Sequence, residues 1–121
     1  MAIPKSTRPR VRARKRVGRC FELSFAVLMD HEDWTLVHGI VNGPPDESPR
    51  ICHAWLERDG QVFDPVSDEF SPSLRYRIRF DALAVARYSA HQAGGLALET
   101  RHYGPWHPEL LTFADQAERE V

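Results

Sequence analysis

At 121 residues the chain is long enough for one domain around a single core. Its apolar content of 42 % is ordinary for a soluble protein, and its longest apolar stretch, residues 25–29, is far too short to cross a bilayer, so no membrane partner is expected. The formal net charge of −1 conceals an uneven spread: eight Lys/Arg precede Cys20 with no acid among them, and the rest sets eight basic against seventeen acidic residues, near −9.

Residues 1–17 read as a basic, flexible arm on an acidic body, and residues 18–121 as one domain. The arm is a solvated tail, a contact for nucleic acid or an acidic partner, or a short edge strand over 11–17. No aromatics interleave its charges, so base stacking is not signalled. A targeting peptide is disfavoured, because no apolar segment precedes Cys20 and the small-residue cleavage pattern is missing. From Cys20 to about His31, Phe21, Phe25, Leu28 and Met29 recur at helical spacing, predicting a central helix with Cys20 in its first turn. Trp34 to Val41 is rich in strand formers and ends at Asn42-Gly43-Pro44-Pro45, with a loop over 44–49.

Arg50–Arg58 and Gln61–Val66 flank Asp59-Gly60, a tight hairpin signal. A loop over 67–73 follows. Leu74 to Phe80 alternates apolar residues with Arg75, Arg77 and Arg79, predicting a strand with one basic face and Tyr76 on the core side. Asp81 is placed to cap a helix to about Gln92, closed by Gly94-Gly95. Leu96–Tyr103 reads as a strand, and Pro108 opens a final helix to about Glu120. Helices segregated from a mostly antiparallel sheet make the fold class α+β.

A two-residue hairpin pairs 58 with 61, 56 with 63 and 55 with 64. His53 and Asp64 then share a face and lie diagonally within reach. Cys20 at a helix start could complete a Cys-His-Asp set. Unpaired N–H groups there favour a thiolate, His53 would exchange its proton, and Asp64 would hold the imidazole. The backbone N–H of Cys20 is a natural oxyanion donor. Taken singly, Cys20 could be a buried small residue, His53 a bonded sheet residue and Asp64 a turn residue. Trp55 should be buried under either interpretation. Cys52 points away from His53 and reads as core. A zinc set from Cys20, Cys52, His53 and His38 or His91 lacks ligand spacing, so no metal or cofactor is expected. His91, His102 and His107 read as surface or capping residues. Two cysteines do not make a disulfide framework, and a cytoplasmic setting is the default.

Gly18-Arg19-Cys20-Phe21, His53-Ala54-Trp55-Leu56-Glu57 and Gly60-Gln61-Val62-Phe63-Asp64-Pro65 resemble the papain-like superfamily, and within it the transglutaminase-like group. The His-Ala-Trp stretch is similar to that of small bacterial and phage members and of lasso-peptide leader peptidases. The resemblance spans residues 18–66. It implies Cys20 as nucleophile, His53 as general base and acid, and Asp64 as orienter. The implied activity is acyl transfer at a peptide or side-chain amide of a peptide or protein substrate. A non-catalytic binding module on the same fold, using the basic arm, is the alternative.

Overall fold

The computed structural model describes residues 19–43 and 47–119. The arm expected over 1–17 lies outside them. In chain order come α1 (Cys20–Asp30), β1 (Thr35–Gly43), β2 (Glu47–Arg58), β3 (Gln61–Asp64), β4 (Glu69–Pro72), α2 (Ser73–Phe80), β5 (Leu83–Tyr88), α3 (Ala90–Thr100) and α4 (Pro108–Arg119). The described residues thus form an α+β fold of four helices and one five-stranded sheet. Strand order is β4-β3-β2-β1-β5, and every neighbouring pair is antiparallel.

Residues alternate between the sheet's two faces, and each face has its own core. Leu36, Ala54, Leu56 and Phe63 meet Val27 and Leu28 of α1 and Ala90 and Ala93 of α3. On the other face Val37, Val41, Trp55 and Val62 meet Tyr76 of α2, with Phe80 at its edge. The Asp59-Gly60 turn has positive φ at both residues, 49° and 77°. Such a turn matches the twist of the flanking strands and fixes register. Arg58 pairs with Gln61 and Leu56 with Phe63, the pairing expected from the sequence.

The structure departs from expectation in five places, four of them in the second half. The alternating segment from Leu74 to Phe80 is helix α2, not a strand. Only Tyr76 and Phe80, one helical turn apart with rings 4.9 Å from each other, face inward. Leu74 and Ile78 are 70 % and 73 % exposed, so period two was not a burial pattern. Asp81 ends this helix in a left-handed conformation rather than opening the next. Strand β5 follows, and α3 starts only at Ala90, where Ser89 and Gln92 form a reciprocal capping box. Gly94-Gly95 lie inside α3, which runs to Thr100 and consumes most of the strand expected over 96–103. The loop expected over 67–73 contains β4, and β2 starts at Glu47 inside the loop expected over 44–49.

Candidate active site

His53 and Asp64 come from the two strands of the Asp-Gly hairpin. Their side chains meet, with His53 Nε2 2.7 Å from Asp64 Oδ2. Both are buried, at 9 % and 5 % exposure. Asp64 receives two further hydrogen bonds. The Tyr76 hydroxyl donates to Oδ2 at 2.6 Å, and the Val66 backbone N–H donates to Oδ1 at 2.9 Å. The residue that sequence alone treated as core packing is therefore a polar partner of the site. Its signal was obscured because Leu74–Phe80 read as a strand. In a helix, Tyr76 instead reaches Asp64 from the layer below.

Cys20 arrives by a different route. Ser24 Oγ donates to the Ala54 carbonyl at 3.2 Å, docking α1 against β2. Cys20 lies one helical turn earlier on the same face. Its thiol lies close enough to the His53 ring to act on its charge. The structure thus brings Cys20, His53 and Asp64 together in that order. Cys20 is 7 % exposed. Arg19, at the N-cap of α1, makes no side-chain capping bond, so among the described residues its side chain claims none of the first N–H groups. Arg19, just before the cysteine, pairs with Glu22 in that turn.

Burial by itself disfavours both charged forms. For His53 this is outweighed by the charge and hydrogen bond of Asp64, with Cys20 adding, and the imidazole is pushed up to about 10. For Asp64 burial is outweighed by the His53 charge and by the bonds from His53, Tyr76 and Val66. Its carboxyl is held below the usual carboxylate range. The two directions agree, giving an imidazolium–carboxylate pair at neutral pH. The phenol of Tyr76 is pushed far up, by burial first and then by Asp64, and stays a donor.

Trp55 is 2 % exposed and lies roughly parallel to the His53 ring, with centroids 6.2 Å apart. Gly39 stands opposite His53 in the β1–β2 register. A Cβ at Gly39 would fall 2.2 Å from the Leu83 carbonyl oxygen and 2.7 Å from the Trp55 ring. Glycine there admits both the tryptophan and the neighbouring strand.

Cys52 lies away from His53, and its Sγ contacts the Leu110 carbonyl oxygen at 3.6 Å. It is half-buried rather than a core residue. Its thiol is pushed up by burial and then by negative charge at Cys20. His38 is enclosed by the rings of Phe21, Tyr88 and Trp106, and neither ring nitrogen has a hydrogen-bond partner among the described residues. His107 accepts from Glu109 N–H at the start of α4, and His102 accepts from Gly104 N–H. His91 is exposed. Among the described residues no group of three or more His, Cys, Asp or Glu could hold a metal ion, and no helix is long and apolar enough to cross a membrane. The chain matches no family model, no curated protein and no solved structure.

Proposed function

We propose that the protein is a cysteine-dependent acyl-transfer enzyme acting on a peptide or side-chain amide. The observation that carries this reading is the His53 ring bonded to Asp64, with the Cys20 thiol close enough to act on the charge of the same ring. In the proposed cycle the Cys20 thiolate, facing the His53 imidazolium, attacks the amide carbon. The carbonyl oxygen becomes an oxyanion beside the uncapped start of α1, with the Cys20 N–H as donor. His53 gives its proton to the leaving amine as the C–N bond breaks, which leaves a thioester on Cys20. Neutral His53 then takes a proton from water or a second amine. That nucleophile attacks the thioester carbon, and the thiolate leaves. Asp64 keeps the ring oriented and stabilises its charge throughout. The papain-like, transglutaminase-like resemblance of residues 18–66 supports the same chemistry, as does the α+β arrangement of a helix docked on an antiparallel sheet. A cytoplasmic location belongs to the same proposal and rests on cysteine usage.

The test is site-resolved alkylation by iodoacetamide. At pH 6 Cys20 should react at least about tenfold faster than Cys52, whose thiol is pushed up. His53→Ala should remove that advantage. Equal rates at the two cysteines, or a Cys20 rate indifferent to His53→Ala, sinks the proposal.

A further inference from the structure

The chain holds two cysteines, both free, and the proposed acyl transfer uses only one of them. Three observations bring the other, Cys52, to the same place.

The first is register. Ser24 Oγ reaches the Ala54 carbonyl at 3.2 Å, and both residues are small, so the α1 backbone comes close to β2 at that point. One turn back along α1 is Cys20, about 6 Å along the helix axis. Two residues back along β2 is Cys52, about 6.7 Å along the strand. The two steps run the same way, because the Cys20 thiol acts on the charge of His53, the neighbour of Cys52.

The second is the strand edge. Arg58 and Gln61 flank the two-residue turn and exchange backbone hydrogen bonds, so every second residue of β2 from Arg58 backwards directs its backbone groups to the β3 side. The Ala54 carbonyl held by Ser24 is one of these groups. Yet β3 pairs with β2 only from Leu56 to Arg58. At residues 52–54 the first turns of α1 stand where a strand partner would be. From an edge both faces of a strand are within reach, the His53 ring on one and the Cys52 side chain on the other.

The third is electrostatic reach. Negative charge at Cys20 acts on the Cys52 thiol. Cys52 is half-buried, and its thiol is held only by a weak contact to the Leu110 carbonyl oxygen at 3.6 Å, which a side-chain rotation gives up. A disulfide needs Cα atoms about 4.4–6.8 Å apart, a separation that a helix seated through Ser24 and Ala54 approaches and one seated through long side chains does not.

We propose that Cys20 reacts with hydroperoxides and that Cys52 is its resolving thiol. The Cys20 thiolate attacks the terminal peroxide oxygen, an S–O bond forms and the O–O bond breaks. The leaving alkoxide, or hydroxide, takes the proton of the His53 imidazolium. Sulfur has lost the two electrons that the peroxide gained, and Cys20 is a sulfenic acid. The Cys52 sulfur then attacks the Cys20 sulfur. The S–O bond breaks, and the Cys52 proton leaves with the hydroxyl group as water. Cys52, mostly protonated, does not react with the peroxide first. The disulfide occupies the nucleophile and halts acyl transfer until a thiol reductant restores both cysteines. The proposal shares its thiolate with the acyl-transfer reading, and the experiment separates the two.

The reduced full chain is treated with hydrogen peroxide at pH 7, blocked with N-ethylmaleimide and mapped by mass spectrometry, with and without later dithiothreitol. The unsubstituted chain should lose the mass of two hydrogen atoms and yield a peptide pair joined through Cys20 and Cys52. Dithiothreitol should restore both thiols. In Cys52→Ser, dimedone should trap Cys20 as the sulfenic acid. Without dimedone Cys20 should go on to the sulfinic and sulfonic acids, so the thiol recovered by dithiothreitol falls by about tenfold or more. Cys20→Ser should leave Cys52 unmodified over the same time. Irreversible oxidation of Cys20 in the unsubstituted chain without the link, a link formed only between two molecules, or a recovery indifferent to Cys52→Ser overturns the proposal. Iodoacetamide alkylation at pH 6 is read in parallel. A fast-alkylating Cys20 without the link removes the resolving thiol and leaves acyl transfer. The link with a Cys20 that alkylates no faster than Cys52 upholds the redox pair and removes the acyl-transfer reading.

Discussion

Asp64 accepts from a ring nitrogen, a phenol and a backbone amide, and this explains how a carboxylate stays ionised at 5 % exposure. A buried charge of this kind persists only where several donors replace lost water. Tyr76 is a positioning residue in this arrangement, because it touches Asp64. Tyr76→Phe keeps the aromatic packing against Trp55 and Phe80 but deletes one charge-assisted bond. Stability should fall by about 1.5–3 kcal/mol. Asp64 would then be held less firmly in place against the His53 ring, so Cys20 alkylation at pH 6 should slow severalfold. Urea titration and alkylation rates check the two effects separately. Lost stability with an unchanged rate would make Tyr76 structural only. At this scale the sequence was informative where contact is local. Asp59-Gly60 sets the register that aligns His53 with Asp64, whereas Tyr76 was misread through its secondary structure.

For whole elements, legibility depended on whether two periodicities could be told apart. The segment Leu74–Phe80 satisfies strand alternation, yet it folds as two helical turns with half of its apolar residues exposed. Seven residues are too few for hydrophobic period to decide, and arginine is a good helix former. The Ser89–Gln92 capping box was a usable signal for the start of α3. It does not enter the sequence reading above, which places the cap at Asp81 and the helix end at Gly94-Gly95. Those glycines interrupt nothing, because both sit where a side chain would meet open space. Gly95 is exposed, so Gly95→Ala isolates the helix effect. It should stabilise the protein by about 0.5–1 kcal/mol. The melting temperature should rise by a few degrees, about 2–6 °C, in a scanning experiment. A decrease would mean that the position is constrained by something other than helix propensity.

For the molecule as a whole, three buried groups set the pH dependence of stability. The His53 proton is bound more tightly when folded, since its ordinary value of 6.5 is pushed up to about 10. Its contribution is complete below about pH 6.5 and is lost as pH rises through about 10. Asp64 is lowered, so its contribution is present above the ordinary carboxylate value and is lost on acidification. His38 acts in the opposite sense to His53. Burial among aromatic rings lowers it to about 3, so below about 6.5 the unfolded chain takes up a proton that the folded chain refuses. One such proton costs at most about 1.4 kcal/mol per pH unit. The urea midpoint should therefore peak between about pH 6 and 7 and decline on both sides. His38→Phe should flatten the decline between about pH 6 and 4 and leave the alkaline side unchanged. An acid limb that survives this substitution would show that other groups cause it.

The hairpin that joins His53 to Asp64 closes a loop of eleven residues, while Cys20 and His53 are thirty-three apart. Chain entropy makes the longer closure costlier by about 1 kcal/mol, since the penalty grows only with the logarithm of length. The pair is also pinned by strand pairing through its own turn, whereas the thiol depends on how α1 is seated, through Ser24 and the apolar layer beneath it. The three groups are thus unequal in their tether to one another. Loosening at α1 separates sulfur from imidazole and leaves the imidazole and carboxylate engaged. The seating of one eleven-residue helix therefore decides whether the thiol faces its imidazole, independently of whether the sheet is intact.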